Sequence, residues 1–223
     1  MHPEMPSEVQ LSLQRIGQHP FVLEASQRSL RREAALRWIF CAGRESRTFP
    51  RLLERLLRTA RSERLASVLR ANLNDELGNG NPDDAHFMHY LALLRDLEVA
   101  REEFERYQEK SGIRLALELA ETVAECGNEP LSLGYILVNE AITPVTYRAA
   151  QQALEPYFPG LNTRFFDLHV EVDAAHVQDL QSAIDTHDES SRLQFLFGIS
   201  LGERGMLSLL DEAYGVFDKR EVS

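Results

Sequence analysis

Between residues 165 and 180 the chain reads FFDLHVEVDAAHVQDL, and this stretch holds two imidazoles and several carboxylates. His169, Asp173 and His176 stand at i, i+4 and i+7. On a helix, which turns about 100° per residue, they share one face. Phe165 and Phe166 lie one turn earlier on that stripe and Leu180 one turn later, so it is a core-facing row. Left unpaired there, each group would cost on the order of several kcal/mol in desolvation or would titrate to its neutral form. A compensating partner is required.

Two other segments repeat the pattern. In SLGYILVNEAITPV, Glu140 follows Ile136 and Leu137 on a helix that is apolar almost all round. Pro144 removes the hydrogen bond to the Glu140 carbonyl, which predicts a kinked or widened helix beside a buried carboxylate. In SVLRANLNDELGNGNPDDAHFMHYL, Leu65, Leu69 and Leu73 set an inward face that Glu76 extends. Beyond the glycine break, His86 leads a new apolar stripe of Tyr90, Leu93 and Leu97.

Each residue has an ordinary reading alone: a hydrogen-bonded core histidine, a buried ion-pair glutamate, a chance HxxxDxxH spacing. Taken together, Glu76, His86, Glu140, His169, Asp173 and His176 put three imidazoles and three carboxylates inward from three segments. A metal centre satisfies all six at once. Imidazole with carboxylate and no thiolate suits iron or manganese better than structural zinc. Six ligands exceed what one catalytic ion takes, whereas two carboxylate-bridged ions fit the count. Three carboxylates leave two divalent ions with residual positive charge, which favours an anionic ligand such as a substrate carboxylate.

The elements that must position these residues are helical. SEVQLSLQRIGQ, SLRREAALRWIF, FPRLLERLLRTA, SERLASVLRANLNDEL, AHFMHYLALLRDLEVAREEFERYQEK, GIRLALELAETVAEC and the segments that follow carry apolar residues at three-to-four spacing. Ser7 is a candidate N-cap, and Pro50 is suited to a helix start. The LGNGNPDD stretch stops one helix and begins another. No period-two strand pattern and no internal repeat is visible. The expectation is one all-α domain over residues 1–223 with short connections.

Composition narrows the function. The 223 residues are 43 % hydrophobic and 26 % charged, a globular balance, and the formal net charge is −11. Such a chain offers phosphate no general attraction, and the arginines from Arg51 to Arg70 recur with leucines as a solvated helix face. MHPEMPSEVQ lacks the positive and apolar regions of a signal peptide, and the apolar run at 131–138 is too short to cross a bilayer. A cytoplasmic protein with no nucleic-acid or membrane partner is expected. Cys41 and Cys126 give no disulfide framework and read as buried thiols.

NLNDELGNGNPDDAH (72–86), Glu140 and HVEVDAAH (169–176), together with QHPFVLEASQRSL near the start, resemble the heme-oxygenase-like di-iron oxidases and oxygenases. These are relatives of the helical thiamine-salvage and pyrroloquinoline-quinone biosynthesis proteins. The resemblance implies a heme-oxygenase-like bundle of about seven to nine helices, in which Glu76, His86, Glu140, His169, Asp173 and His176 hold two Fe(II) ions, or manganese. It also implies dioxygen as co-substrate and a small, carboxylate-bearing metabolite, amino-acid or fatty-acid-like, that undergoes N-oxygenation or oxidative C–C or C–H cleavage. Homodimerisation is expected because family members often pair. Some members add a carboxylate from an earlier helix, for which Glu54 is the nearest candidate. Asp83 is a further candidate, and a solvated acid is the simpler reading of both. His89 could support His86 from one turn away, and Tyr90 and Tyr135 could line the oxygen site. His19 suggests a haem ligand, but a haem pocket has no need of the buried acids. Two other readings compete: a metal-free thiamine-salvage-like hydrolase using Cys41 or Cys126, and a non-catalytic helical binding protein.

Overall fold

The protein is described by a computed structural model over residues 5–171, 173–184 and 188–219. In chain order its helices are α1 (Ser7–Gly17), α2 (Pro20–Ser26), α3 (Arg32–Thr59), α4 (Glu63–Glu76), α5 (His86–Asp96) and α6 (Arg101–Arg106). They continue as α7 (Ser111–Cys126), α8 (Glu129–Leu154), α9 (Arg164–Glu171), α10 (Asp173–Ser182) and α11 (Glu189–Tyr214). No strand occurs among the described residues. α9 and α10 lie on either side of residue 172, which is outside the described residues, and α2 and α6 are the shortest helices, at seven and six residues.

α8 and α11 form the central pair, with α3, α7, α9 and α10 around them and α1 and α2 across one side. The pair lies close because glycine faces backbone at the crossing. A Cβ on Gly134 would sit 2.1 Å from the Phe195 carbonyl oxygen, and one on Gly198 would sit 2.0 Å from that of Leu131. No side chain fits there. The core that results is rich in large rings, among them Trp38, Tyr90, Phe104, Phe165 and Phe166, each no more than 1 % exposed.

Among the described residues two prolines, Pro50 and Pro144, lie in helix interiors. Pro50, expected to open a helix, sits inside the 28-residue α3, and the two helices expected there are one. The physical reason is burial on both sides: Trp38, Ile39 and Ala42 before the proline and Leu52, Leu53 and Leu56 after it enter the same core. That apolar gain outweighs the proline's cost of about 3 kcal/mol. α8 likewise stays α-helical through Pro144.

Buried polar groups tie the outer helices to the centre. Glu212 of α11, fully buried, accepts hydrogen bonds from the Ile113 N–H at 2.8 Å, the Lys110 N–H at 3.0 Å and the Tyr107 hydroxyl at 2.8 Å. It thereby caps the first turn of α7 from another helix. Arg44 of α3 donates to the backbone carbonyls of Phe104, Glu105 and Tyr107 and lies over the Phe104 ring. Arg15 and Ser12 of α1 both meet Glu203 of α11. No helix among the described residues is long and apolar enough to cross a membrane.

Candidate metal centre

The α4–α5 connection is built to turn sharply. Gly78, Asn79 and Gly80 all have positive φ, and a Cβ on Gly78 would fall 2.2 Å from the Asn81 carbonyl oxygen. The tight return brings Glu76, at the end of α4, against His86, at the start of α5. His86 Nδ1 lies 3.0 Å from Glu76 Oε1, and both side chains are buried. Despite that distance, His86 Nδ1 makes no hydrogen bond among the described residues. The two atoms are in ion-pair contact without the alignment of a hydrogen bond.

His169 of α9 completes this group. Its ring is 4.8 Å from that of His86, and one ligand atom each from Glu76, His86 and His169 all lie within 4.8 Å of one another. His169 Nδ1 donates to the Phe165 carbonyl at 2.7 Å, which leaves the Nε2 lone pair unprotonated. Burial, reinforced by nearby His86, pushes the His169 pKa down to about 3, so the ring is neutral and ready to ligate. An orphaned imidazole nitrogen, a second imidazole with a fixed tautomer and a carboxylate form a donor set that fits iron or manganese.

Beside this trio, His176 of α10 lies between two acids. Its Nδ1 is 3.4 Å from Glu140 Oε2, and its Nε2 is 2.9 Å from Asp75 Oδ2. Burial works against the charged ring, but Glu140 and Asp75 together outweigh it and raise the His176 pKa to about 9. Asp75 is itself held by the Asn79 amide at 2.7 Å, and despite partial burial these partners lower its pKa. Asn72 of α4, buried, donates to Glu140 Oε1 at 2.6 Å and fixes that carboxylate. Of the six residues expected from sequence, five thus gather in two adjoining groups. The sixth, Asp173, lies in α10, and its side chain lies outside the described residues. The stretch expected as one helix is helical on both sides of residue 172, which lies outside the described residues, and its two histidines serve different groups.

A cavity of about 230 Å³ reaches this centre between α3, α7, α8 and α11. Glu76, Glu140 and His169 stand on its wall with Glu45 of α3. Burial raises the Glu45 carboxyl to about 7. Ser46 lines the same wall, and its buried hydroxyl has no partner among the described residues. Sequence reading missed Glu45, Asp75 and Asn72. Glu45 had a signal, since it falls on the inward face of α3 one turn after the core residues Cys41 and Ala42. Asp75 had none, because on α4 it flanks the inward stripe.

The remaining candidates lie elsewhere. Glu54 pairs with Arg58 on the surface, and Asp83 is exposed. His19 caps α2, its Nδ1 accepting from the Phe21 N–H at 3.1 Å while Nε2 meets Asp211, so it is a structural histidine. Tyr90 donates to the Ile39 carbonyl away from the cavity, whereas Tyr135 and Tyr147 line it. Tyr147 packs on His169 with ring centroids 4.4 Å apart. Cys41 is buried, which pushes its thiol well up, Cys126 is exposed, and neither lines the cavity.

A family model described as iron-containing redox enzyme matches residues 45–202, well over half of the chain. The chain belongs to the family of iron-containing redox enzymes. Solved structures agree on the fold of this family member. A CADD-like protein of unknown function from Nostoc punctiforme superposes with a TM-score of 0.78 at 16 % identity, covering 97 % of this chain and 96 % of that one. A domain of unknown function with a heme oxygenase-like fold from Shewanella denitrificans gives 0.76 at 13 % identity, covering 97 % and 93 %. A TenA homolog from Pseudomonas syringae gives 0.74 at 10 % identity, covering 93 % and 89 %. No curated protein matches the chain in sequence.

Proposed function

We propose that this iron-containing redox enzyme is an oxygen-activating, non-haem di-iron oxidase or oxygenase acting on a small, carboxylate-bearing metabolite. The observation that carries the reading is the convergence of Glu76, His86 and His169, with His86 Nδ1 lacking a hydrogen bond, where Glu76 and His169 reach the wall of a cavity. These three would hold one ion. Glu140 and His176 would hold the second, with Asp173, Asp75 or Glu45 completing it. Iron bound there would supply Lewis acidity and the electrons for dioxygen reduction, directed to N-oxygenation or to oxidative C–C or C–H cleavage.

The chain's own contribution is positional. The Phe165 carbonyl fixes the His169 tautomer, and Asn72 fixes Glu140. Glu45, with its pKa about 7, can hold or release a proton at the cavity wall near neutrality. Ala116, Ala120, Ala124, Leu117 and Leu52 give the cavity an apolar share of its lining, which lowers the local dielectric around the reacting groups. A cysteine-dependent hydrolase is disfavoured by the place of both thiols away from the cavity.

The test is anaerobic loading with Fe(II), a count of bound iron, then admission of dioxygen while the visible spectrum is recorded. About two irons per chain and a transient band, both reduced in His169→Ala and His176→Ala, are the expected result. Iron content unchanged by either substitution would refute the assignment.

A further inference from the structure

Outside the metal centre the core holds a further chain of reactive groups that the proposed reaction does not use. Tyr147, which packs on His169, also meets the Trp38 indole edge-on, with ring centroids 4.9 Å apart. Trp38 is the chain's single tryptophan and is 1 % exposed. One turn along α3 lies Cys41, fully buried, at the i, i+3 spacing that makes two side chains neighbours on a helix. Its Sγ is 3.9 Å from the Tyr107 hydroxyl. Tyr107 follows α6, is half-buried, and reaches a surface hollow lined by Phe40, Glu102 and Arg106. From the centre to the surface the side chains therefore run Tyr147, Trp38, Cys41, Tyr107, all of types that give up one electron readily.

Packing accounts for each ring taken singly, since aromatic side chains supply much of any core. It does not account for how their polar atoms are disposed. The Trp38 indole N–H is buried with no hydrogen-bond partner among the described residues. An indole oxidised there has no base at hand to take its proton, so it stays a strong oxidant that draws an electron from a neighbour. Tyr107 is the opposite case. Its phenol donates at 2.8 Å to Glu212 Oε1, and that carboxylate also accepts from the Lys110 and Ile113 N–H groups. With its one proton committed to Glu212, the phenol oxygen accepts from the Cys41 thiol. Tyr90, by contrast, donates to the Ile39 backbone carbonyl, which is too weak a base to take a phenolic proton. The disposition favours outward transfer of oxidation, ending at Tyr107.

We propose that Tyr147, Trp38, Cys41 and Tyr107 form a one-electron relay that drains oxidising equivalents from the metal centre when no substrate is present, with Tyr107 as terminal donor and Glu212 as proton acceptor. The oxidant is the iron centre after reaction with dioxygen. One electron leaves Tyr107 and passes inward, and the centre is reduced by it. The phenolic proton moves to Glu212 as the electron leaves, so a neutral tyrosyl radical remains beside the hollow. A small reductant in solution, a thiol or ascorbate, returns an electron there, and Glu212 returns the proton. This rests on the reading of the centre as oxygen-activating, but the step between Tyr107 and Trp38 belongs to residues that touch no metal.

Flash photo-ionisation of the iron-free protein tests the outer step without metal, because a single tryptophan gives one starting indole radical. By transient absorption the indole radical is expected to decay as a tyrosyl radical forms. Tyr107→Phe, which keeps the ring and removes only the hydroxyl, should abolish the tyrosyl signal and prolong the indole radical, whereas Tyr147→Phe should leave the conversion in place. Glu212→Gln should slow it, an effect that a merely structural role for Tyr107 would not produce, and circular dichroism shows that each variant keeps the fold. Conversion indifferent to Tyr107→Phe, or abolished by Tyr147→Phe, overturns the proposal. In Fe(II)-loaded protein, oxygen admitted without substrate should leave a tyrosyl radical visible by electron paramagnetic resonance and absent from Tyr107→Phe and Trp38→Phe. Loaded protein that consumes oxygen without that radical also overturns the relay. Failure of iron to bind would remove the oxidase reading and the relay's purpose with it, while the flash alone decides transfer between Trp38 and Tyr107.

Discussion

At the scale of single residues, the centre is governed by which atoms have partners. His176 is the informative case, since two acids keep it charged until about pH 9 while an unfolded histidine titrates near 6.5. Its folded pKa is raised, so its contribution to the stability of the metal-free protein is full below about pH 6.5 and is lost as pH rises through about 9. The melting temperature of the apoprotein should therefore fall across that window, and Asp75→Asn should flatten the fall. Measurement of Tm against pH for the two proteins checks this. Metal binding must also displace that proton, so Fe(II) affinity should increase with pH over the same range and loading should release acid into a weakly buffered solution. A pH-independent affinity would contradict His176 as a ligand. Asn72→Ala, which leaves Glu140 without its amide partner, should lower iron affinity about 10- to 100-fold with little change in helix content, as read by metal titration and circular dichroism.

At the scale of elements, rigid crossings carry the centre. α8 brings Glu140, Tyr135 and Tyr147 to the cavity, and its position is set by the glycine contact with α11. Gly198→Ala would drive a methyl into the Leu131 carbonyl, and the helices would have to part. A cost of about 1–3 kcal/mol is expected, or roughly 2–12 °C in Tm for a chain of this length. Thermal denaturation measures it directly. The α4–α5 turn is the other fixed joint: only its left-handed residues allow Glu76 and His86 to meet, ten positions apart in sequence. By contrast α3 accepts an internal proline because both of its halves are buried in the same core.

At the scale of the molecule, the centre is made from helices far apart in sequence, so binding there should be felt globally. Glu76 comes from α4, His86 from α5, Glu140 from α8, His169 from α9 and His176 from α10. Anaerobic Fe(II) at about one hundred times its dissociation constant should add about 2.7 kcal/mol to stability, and a chelator should remove it. An unchanged Tm on loading, by differential scanning calorimetry, would mean that no folded-state iron site forms. The large ring-rich core around Trp38, Tyr147, Phe165 and Phe166 explains how acids and imidazoles survive inside: packing secures the frame, and the polar groups fill a place within it.

Sequence alone determined the helical class, the candidate ligands and the special role of the glycine-rich turn, because each is written in local periodicity or in backbone chemistry. A carboxylate or imidazole on an apolar stripe is visible without coordinates, since burial of that residue follows from its neighbours on the same face. Tertiary structure decided the rest. It joined two expected helices through Pro50 and drew Glu45, Asp75 and Asn72 into the centre while leaving Glu54 outside on the surface. It also divided the candidate ligands, placing His169 with Glu76 and His86 and placing His176 with Glu140 and Asp75. Periodicity shows which face of a helix is inward, but not what lies across from it. The pairing of inward groups depends on helix rotations and crossings that are fixed only when every helix packs at once.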